Sequence, residues 1–294
     1  MISKNTVCRD CGSQELVQFI DLSDQPPANA FITKEQITKE KHYPLKAYVC
    51  ADCQLVQLTD IVDLDELFQN YVYFSAGAGP TLPKHFSDYA DMVVERFHLG
   101  KDSFVIELGS NDGLLLSAFQ RHGIKVVGVD PAHNVTKVAN ERGVPTIAEP
   151  WSEQIARTIV KEHGKADVII GNNVVAHIND HQGLVKGVKA ALKPTGSFIF
   201  EAPYLVDMFE NLTFDTIYHE HLACLSLRPL KKMFESHGLA VFDMIIRNVQ
   251  GVSLRVFVGF PDAHEVSPRV RYFVNRSEER RVGKECRSRW SPYH

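Results

Sequence analysis

The sequence predicts an α/β fold: a parallel sheet covered by helices on both faces, preceded by a small cysteine-stapled module. Three observations predict it. From residue 103 onward, strand-like and helical segments alternate, the pattern of a parallel sheet whose crossover helices pack on both faces. Four of the six cysteines fall as two C-x-x-C pairs, Cys8-Arg-Asp-Cys11 and Cys50-Ala-Asp-Cys53. The first strand-like run ends in a glycine-containing turn, Glu107-Leu-Gly-Ser-Asn-Asp-Gly113, and open α/β sheets bind ligands beyond the carboxyl ends of their strands.

Each cysteine pair can clamp one edge of a tetrahedral zinc ion, so Cys8, Cys11, Cys50 and Cys53 predict a closed structural site with no open catalytic position. Disulfides are the rival, disfavoured in an apparently cytosolic chain. The 38 residues between the pairs exceed the usual zinc-ribbon spacing and must hold structure of their own. Leu82, Phe86, Tyr89, Val93 and Phe97 then recur at helical spacing, ending at Gly100. SFVIEL (103–108) is a strand, followed by a helix around Leu114 to His122. IKVVGV (124–129) is a second strand, with a helix around Val135 to Arg142. VPTIA (144–148) is short and strand-like, and Ser152 caps a helix to His163. ADVIIG (166–171) and GSFIFEA (196–202) are further strands, separated by a helix ending near Lys193-Pro194. The late strands 239–246 and 252–260 can pair as an antiparallel hairpin at the sheet edge. Cys224 reads as a small buried hydrophobe.

Composition narrows the classes. The chain has 294 residues, 44% hydrophobic and 23% charged, ordinary for a soluble globular protein. It shows neither a secretory leader nor an apolar run long enough to span a membrane, so a cytoplasmic protein is expected. The last nineteen residues, from Arg276 to His294, carry six basic and three acidic side chains with no apolar period. They look like translated sequencing adapter and are expected to be foreign, with a basic tail for an acidic partner as the rival. Without them Lys+Arg is 26 and Asp+Glu 33, about −7 in all, which gives no electrostatic case for binding nucleic acid. The natural chain is then expected to continue past Asn275.

The turn after the first α/β strand is no dinucleotide fingerprint. Counting from Gly109, the positions that should hold glycine hold Asn111 and Leu114. Glu107 at the strand end suits a cationic ligand better than a diphosphate. Asp130 ends the second strand, where a carboxylate can take both hydroxyls of a ribose, although a plain helix cap is open to it too. With Gly109, Asn111 and Gly113, these residues resemble the S-adenosylmethionine (SAM) site of the class I, Rossmann-like methyltransferases, with Asn111 in place of the middle glycine of their common pattern. Asn173, opening the loop after the fourth strand, joins the cofactor-binding candidates.

The stretch FDTIYHEHLACLS (214–226) packs Tyr218, His219, Glu220 and His221 into four consecutive positions. In such a sheet the loops after the fourth and fifth strands face the reactive end of the cofactor. Methylating oxygen or nitrogen asks for a modest base at most. Methylating carbon beside a ketone requires a positioned base and stabilisation of the enolate oxygen. Imidazole suits the first task near neutral pH. If the segment is helical, Tyr218 and His221 converge on one face. His221 is the expected base, Tyr218 its alternate or the oxyanion donor, and Glu220 an orienting group, while His219 points away. His177 can approach from the adjacent loop. A plain polar loop or a metal site are the rival readings.

The paired cysteines, DQPPANAF (24–31), ELGSNDG (107–113), EAPY (201–204) and DTIYHEHLACLS (215–226) together resemble the SAM-dependent sugar C-methyltransferases acting on nucleotide-linked keto-deoxysugars. The resemblance spans about residues 8 to 260. It implies an N-terminal zinc module (1–70), a SAM-binding core (71–262) and a C-terminal domain that helps hold the nucleotide sugar, of which only 263–275 would remain. It also implies that Tyr218, Glu220 and His221 match a Y-x-E-H catalytic motif, and that a tyrosine of YVYFSAGAG (71–79), taken as Tyr73, reaches the substrate. Two departures stand out: Gly251-Val252-Ser253 where glycine-glycine-serine is frequent, and the near absence of the C-terminal domain. The expected partner is a small-molecule nucleotide sugar, with a monomer compatible with the sequence. The alternatives are an O- or N-methyltransferase of another small molecule and a non-catalytic zinc scaffold, with an NAD-linked enzyme disfavoured by the missing glycines.

Overall fold

The computed structural model describes residues 2–68, 71–77, 79–248 and 251–275. The segment expected to be foreign, 276–294, lies outside them. In chain order the N-terminal region holds β1 (Ile2–Lys4), β2 (Leu16–Gln25), β3 (Tyr43–Cys50), β4 (Val56–Leu58), β5 (Asp60–Val62) and α1 (Leu64–Phe68). The remainder begins with α2 (Thr81–Arg96), β6 (Phe104–Leu108), α3 (Leu114–Arg121), β7 (Lys125–Val129), α4 (His133–Glu141) and β8 (Thr146–Ile147). It continues with α5 (Glu153–His163), β9 (Ala166–Asn172), α6 (His181–Ala191), β10 (Leu192–Pro203), α7 (Leu205–Asn211) and β11 (Ala223–Cys224). α8 (Leu227–Ser236), β12 (Ala240–Arg247), β13 (Ser253–Gly259) and α9 (Pro268–Asn275) complete it.

The large sheet has seven strands in the order β12-β13-β10-β9-β6-β7-β8. Strands β10, β9, β6, β7 and β8 run parallel, while β13 is antiparallel to both β10 and β12. The expected late hairpin therefore forms, with β12 as the sheet edge. Side chains alternate between the faces, as a pleated strand requires. Val105, Val126, Val168 and Ile199 pack with α2 and α3, whereas Phe104, Val127, Ile169 and Phe198 pack with α5, α6 and α8. Chain order reverses between β6 and β9, which opens a crevice at their carboxyl ends.

Two elements differ from expectation. The helix expected to end near Lys193-Pro194 does so, at Ala191. However, β10 begins at Leu192, earlier than the expected Gly196, so Lys193-Pro194 lies inside the strand, where its register with β9 shifts between Leu192 and Ser197. Proline lacks the N–H that a regular ladder would use, so a bulge accommodates it. The short strand expected at 144–148 pairs only through Thr146 and Ile147. The predicted cap is present: Ser152 Oγ accepts a hydrogen bond from the Ile155 N–H at 3.2 Å.

A second sheet has the order β11-β4-β3-β2. Its β11 comes from residues 223–224, so the loop carrying the Tyr-His-Glu-His run is hydrogen-bonded into the cysteine-bearing sheet. Ala223 and Cys224 pair with Gln57 and Val56. Among the described residues no helix is long and apolar enough to cross a membrane.

Candidate functional site

The four cysteines converge. Cys8 Sγ lies 3.5 Å from Cys53 Sγ and Cys11 Sγ 3.6 Å from Cys50 Sγ, and all four sulfurs fall within 4.8 Å of one another. Tetrahedral zinc with Zn–S bonds of ~2.3 Å has S···S edges of ~3.8 Å, so the donor set fits one zinc ion, whereas a disulfide needs ~2.05 Å. Cys224 is buried in the core beside this sheet.

At the crevice, Gly109 adopts φ 61° and Gly113 φ 77°, the left-handed region that favours glycine. A Cβ at Gly109 would lie 3.0 Å from Val174 Cγ2, and one at Gly113 2.9 Å from Val144 Cβ. Gly113 thus serves the packing of the turn. Asp130 accepts the Asn111 N–H at Oδ2 and the Ala132 N–H at Oδ1, both at 2.9 Å, so each carboxylate oxygen keeps a lone pair for a further donor. Glu107 is 3% exposed, and its Oε2 has no protein partner. Asn111 turns its side chain toward residues 73–75. Asn173, with φ 51°, donates its N–H to the Glu201 carbonyl at 2.8 Å.

In the other loop the expected convergence is met without a helix. The 218–221 segment is a single turn closed by the His221 N–H on the Tyr218 carbonyl at 2.9 Å. The Tyr218 hydroxyl sits 2.9 Å from His221 Nε2, and His221 Nδ1 lies 2.7 Å from the Thr216 carbonyl. A carbonyl only accepts, so the proton of the neutral ring is on Nδ1 and the lone pair of Nε2 receives the tyrosine O–H. His177 rides on the short turn Val175–His177, with its ring 4.9 Å from that of His221, edge to face. Glu220 Oε1 accepts from Asn29 Nδ2 at 2.6 Å. His219 points away, as expected, toward the Tyr43 carbonyl at 3.2 Å. Tyr73 is 37% exposed.

Comparison with known families settles the architecture. A family model described as a methyltransferase domain, Methyltransf_23, matches residues 84–243, and another described as a zinc binding domain, Methyltransf_13, matches residues 8–68. The chain belongs to the Methyltransf_23 family. The C-methyltransferase NovU of Streptomyces niveus is 39% identical to this chain over 94% of the chain and 66% of NovU. A ubiquinone biosynthesis O-methyltransferase of Coxiella burnetii is 29% identical over 49% of the chain and 66% of that protein. The chain therefore spans a little under two thirds of the length of both relatives. A solved SAM-dependent methyltransferase from Clostridium acetobutylicum superposes with a TM-score of 0.49 at 14% identity, over 67% of this chain and 96% of that one.

The electrostatics of the methyltransferase crevice favour a cation. Burial pushes the Glu107 carboxyl well above the usual range, and the neighbouring Asp130 and Asp112 add to it. Asp130 is raised by burial, with the Ala132 and Asn111 N–H groups pulling back. Arg142 Nη1 pairs with Asp112 Oδ2 at 2.9 Å, and among the described residues neither Glu107 nor Asp130 makes an ion pair. SAM brings an amino cation and ribose hydroxyls, so acids of this kind fit it. In the other loop, burial lowers the His221 imidazole to about 4 and raises the Tyr218 phenol. His177 is also held neutral, by burial and then by the nearby His221.

Three residues of this neighbourhood escape the sequence reading. Tyr71 has its phenol raised by burial and then by Glu220, Tyr218 and Asp130, so it is within electrostatic reach of both the cofactor crevice and the 218–221 turn. Asn172 ends β9 with both side-chain amide atoms buried and without a protein partner. Asn29 holds Glu220. Asn29 lies in DQPPANAF and Tyr71 in YVYFSAGAG, stretches whose residue types suggested importance without saying which atom mattered.

Proposed function

We propose that this chain is a SAM-dependent C-methyltransferase acting on the carbon beside the carbonyl of a nucleotide-linked keto-deoxysugar. Glu107, Asp130 and the backbone at Gly109 would hold SAM, with Asn172 and Asn173 at the neighbouring strand end; when bound, SAM supplies an electrophilic methyl group on its sulfonium. The observation that carries the reading is the doubly anchored His221. Its Nδ1–H is committed to the Thr216 carbonyl and its Nε2 lone pair points at the Tyr218 hydroxyl.

A base ring that is neutral above about pH 4 is ready without first losing a proton, though it is intrinsically weak. A ketone oxygen competing for the Tyr218 hydroxyl would release Nε2 for the adjacent C–H bond. The proton then moves from carbon to Nε2, the bonding pair becomes the enolate, and the Tyr218 O–H stabilises the enolate oxygen. The enolate pair would form the new C–C bond to the methyl group as its bond to sulfur breaks, that pair remaining on the sulfur of the departing thioether. Glu220, held by Asn29, and His177, edge-on to the His221 ring, flank the Tyr218–His221 pair. The four cysteines hold zinc structurally, through the sheet that shares β11 with the turn. The broad likeness to NovU, extending across both the cysteine module and the methyltransferase domain, supports carbon as the acceptor.

The test is methylation of a nucleoside-diphosphate keto-deoxysugar in heavy water. Expected are solvent exchange at the acceptor carbon and a C-methylated product, both lost in a His221→Ala, Tyr218→Phe double variant. Full turnover by that variant, or methylation of oxygen or nitrogen with the C–H bonds untouched, overturns the proposal.

A further inference from the structure

We propose that Asn111 is a positioning residue: its side chain ties residues 71–77 to the cofactor turn, so that filling the cofactor site sets the placement of Tyr71 and Tyr73. The inference rests on the reading of Glu107 to Asp130 as the SAM site.

Asn111 has φ 51°, where glycine would be less strained. The side chain repays that strain with three hydrogen bonds. Oδ1 accepts the Ser75 N–H at 3.0 Å and the Asp112 N–H at 2.9 Å, and Nδ2 donates to the Tyr73 carbonyl at 3.0 Å. Two neighbours hold the same segment. The Ala76 N–H donates to Asp112 Oδ2 at 3.0 Å, and Asn134 Nδ2 donates to the Tyr71 carbonyl at 2.8 Å. All four ties to the segment use its backbone, and all come from side chains that follow β6 or β7. The cofactor turns therefore hold the backbone of 71–77, and the Tyr71 ring rests against Phe68 and Tyr73. The link to the ligand is short. The Asn111 N–H is itself bonded to Asp130 Oδ2, and Tyr71 is within electrostatic reach of Asp130, Glu220 and Tyr218. A ligand engaging Asp130 and the Gly109 backbone fixes the turn from which 71–77 hangs. No residue of 71–77 lies in a strand, so the segment has no ladder of its own to order it.

The test is amide hydrogen exchange on the full chain with and without S-adenosylhomocysteine, with binding followed in parallel by calorimetry. The expected result is that the ligand slows exchange at Ser75 and Ala76 about tenfold or more. Asn111→Gly keeps the turn's backbone and ligand binding but loses that slowing, and its kcat falls more than its KM for SAM rises. Asn111→Asp keeps the acceptor for Ser75 but loses the donor to Tyr73, and is expected to be intermediate; it carries the test if the glycine variant does not fold. Equal exchange of 71–77 with and without bound ligand overturns the inference, as does full slowing in both variants. Absence of ligand binding by the unaltered chain is a separate outcome that overturns the SAM reading and this inference with it.

Discussion

Asn29 donates a 2.6 Å hydrogen bond to Glu220 across 191 positions of sequence, joining the cysteine-bearing region to the turn that holds Tyr218 and His221. The other oxygen, Glu220 Oε2, is buried with no protein partner. The Asn29 amide also counteracts burial, which otherwise raises the Glu220 carboxyl. Asn29→Ala is therefore expected to cost ~1.5–3 kcal/mol of transition-state stabilisation, a ~10- to 100-fold drop in kcat/KM. The acid limb of the pH–rate profile should move to higher pH, because Glu220 ionises less readily. An unchanged profile and rate would refute the role.

Zinc removal should be felt beyond the cysteines. β11 leaves the Tyr-His-Glu-His turn to become the fourth strand of the small sheet. Chelation is expected to lower Tm by more than ~5 °C and to speed amide exchange at Ala223 and Cys224, while Val105 and Ile106 in the large sheet stay protected. Retained protection at 223–224 after verified metal loss would show the two parts to be independent.

Acid should destabilise the chain through His221. Its folded value of about 4 lies below the ordinary 6.5 because of burial. Between those values the unfolded chain binds the extra proton, so stability falls as pH falls, approaching about 3 kcal/mol. His219 and His177 shift in the same direction, while the raised Glu107, Asp130 and Glu220 carboxyls gain stability on acidification. The diagnostic is thus a difference. Between pH 7 and 4.5 the urea midpoint should fall less for His221→Gln than for the unaltered chain; parallel curves would refute the shift.

Glu107 should release a proton when a cation binds beside it. Burial, with the nearby Asp130 and Asp112, raises its carboxyl well above the usual range, and a ligand cation favours the ionised form. Calorimetry of SAM binding in buffers of different ionisation enthalpy is expected to report net proton release at pH 7. Glu107→Gln should abolish that release and weaken binding ~10- to 100-fold. Identical release in the variant would assign the proton to another group.

The sequence was legible wherever a few neighbouring residues decide the outcome. Strand–helix alternation placed β6, β7, β9 and β10 because side-chain periodicity is a property of the local backbone. The C-x-x-C pairs foretold four converging sulfurs because tetrahedral coordination admits few spacings. Tyr218 and His221, three apart, meet in a turn much as they would have met in a helix.

Other features depend on what the fold brings alongside. The choice of Tyr71, between Asp130 and Glu220, over other aromatics of its stretch depends on how residues 71–77 cross the crevice. Asn111 stands where the common pattern has glycine, and its use for a side chain shows only with Ser75 and Tyr73 beside it. The helix end near Lys193-Pro194 was legible, but the start of β10 at Leu192 was not, because local propensity cannot register the bulge that admits a proline into a strand.

From its own pattern, then, the chain announced its α/β sheet, its cysteine cluster and a loop dense in acid–base groups. Which atoms of that loop face which partners was decided only by chain segments distant in sequence. A hydrogen bond such as Asn29 to Glu220 leaves no periodic trace along the chain, and it forms only once residues 223–224 join the cysteine-bearing sheet as β11.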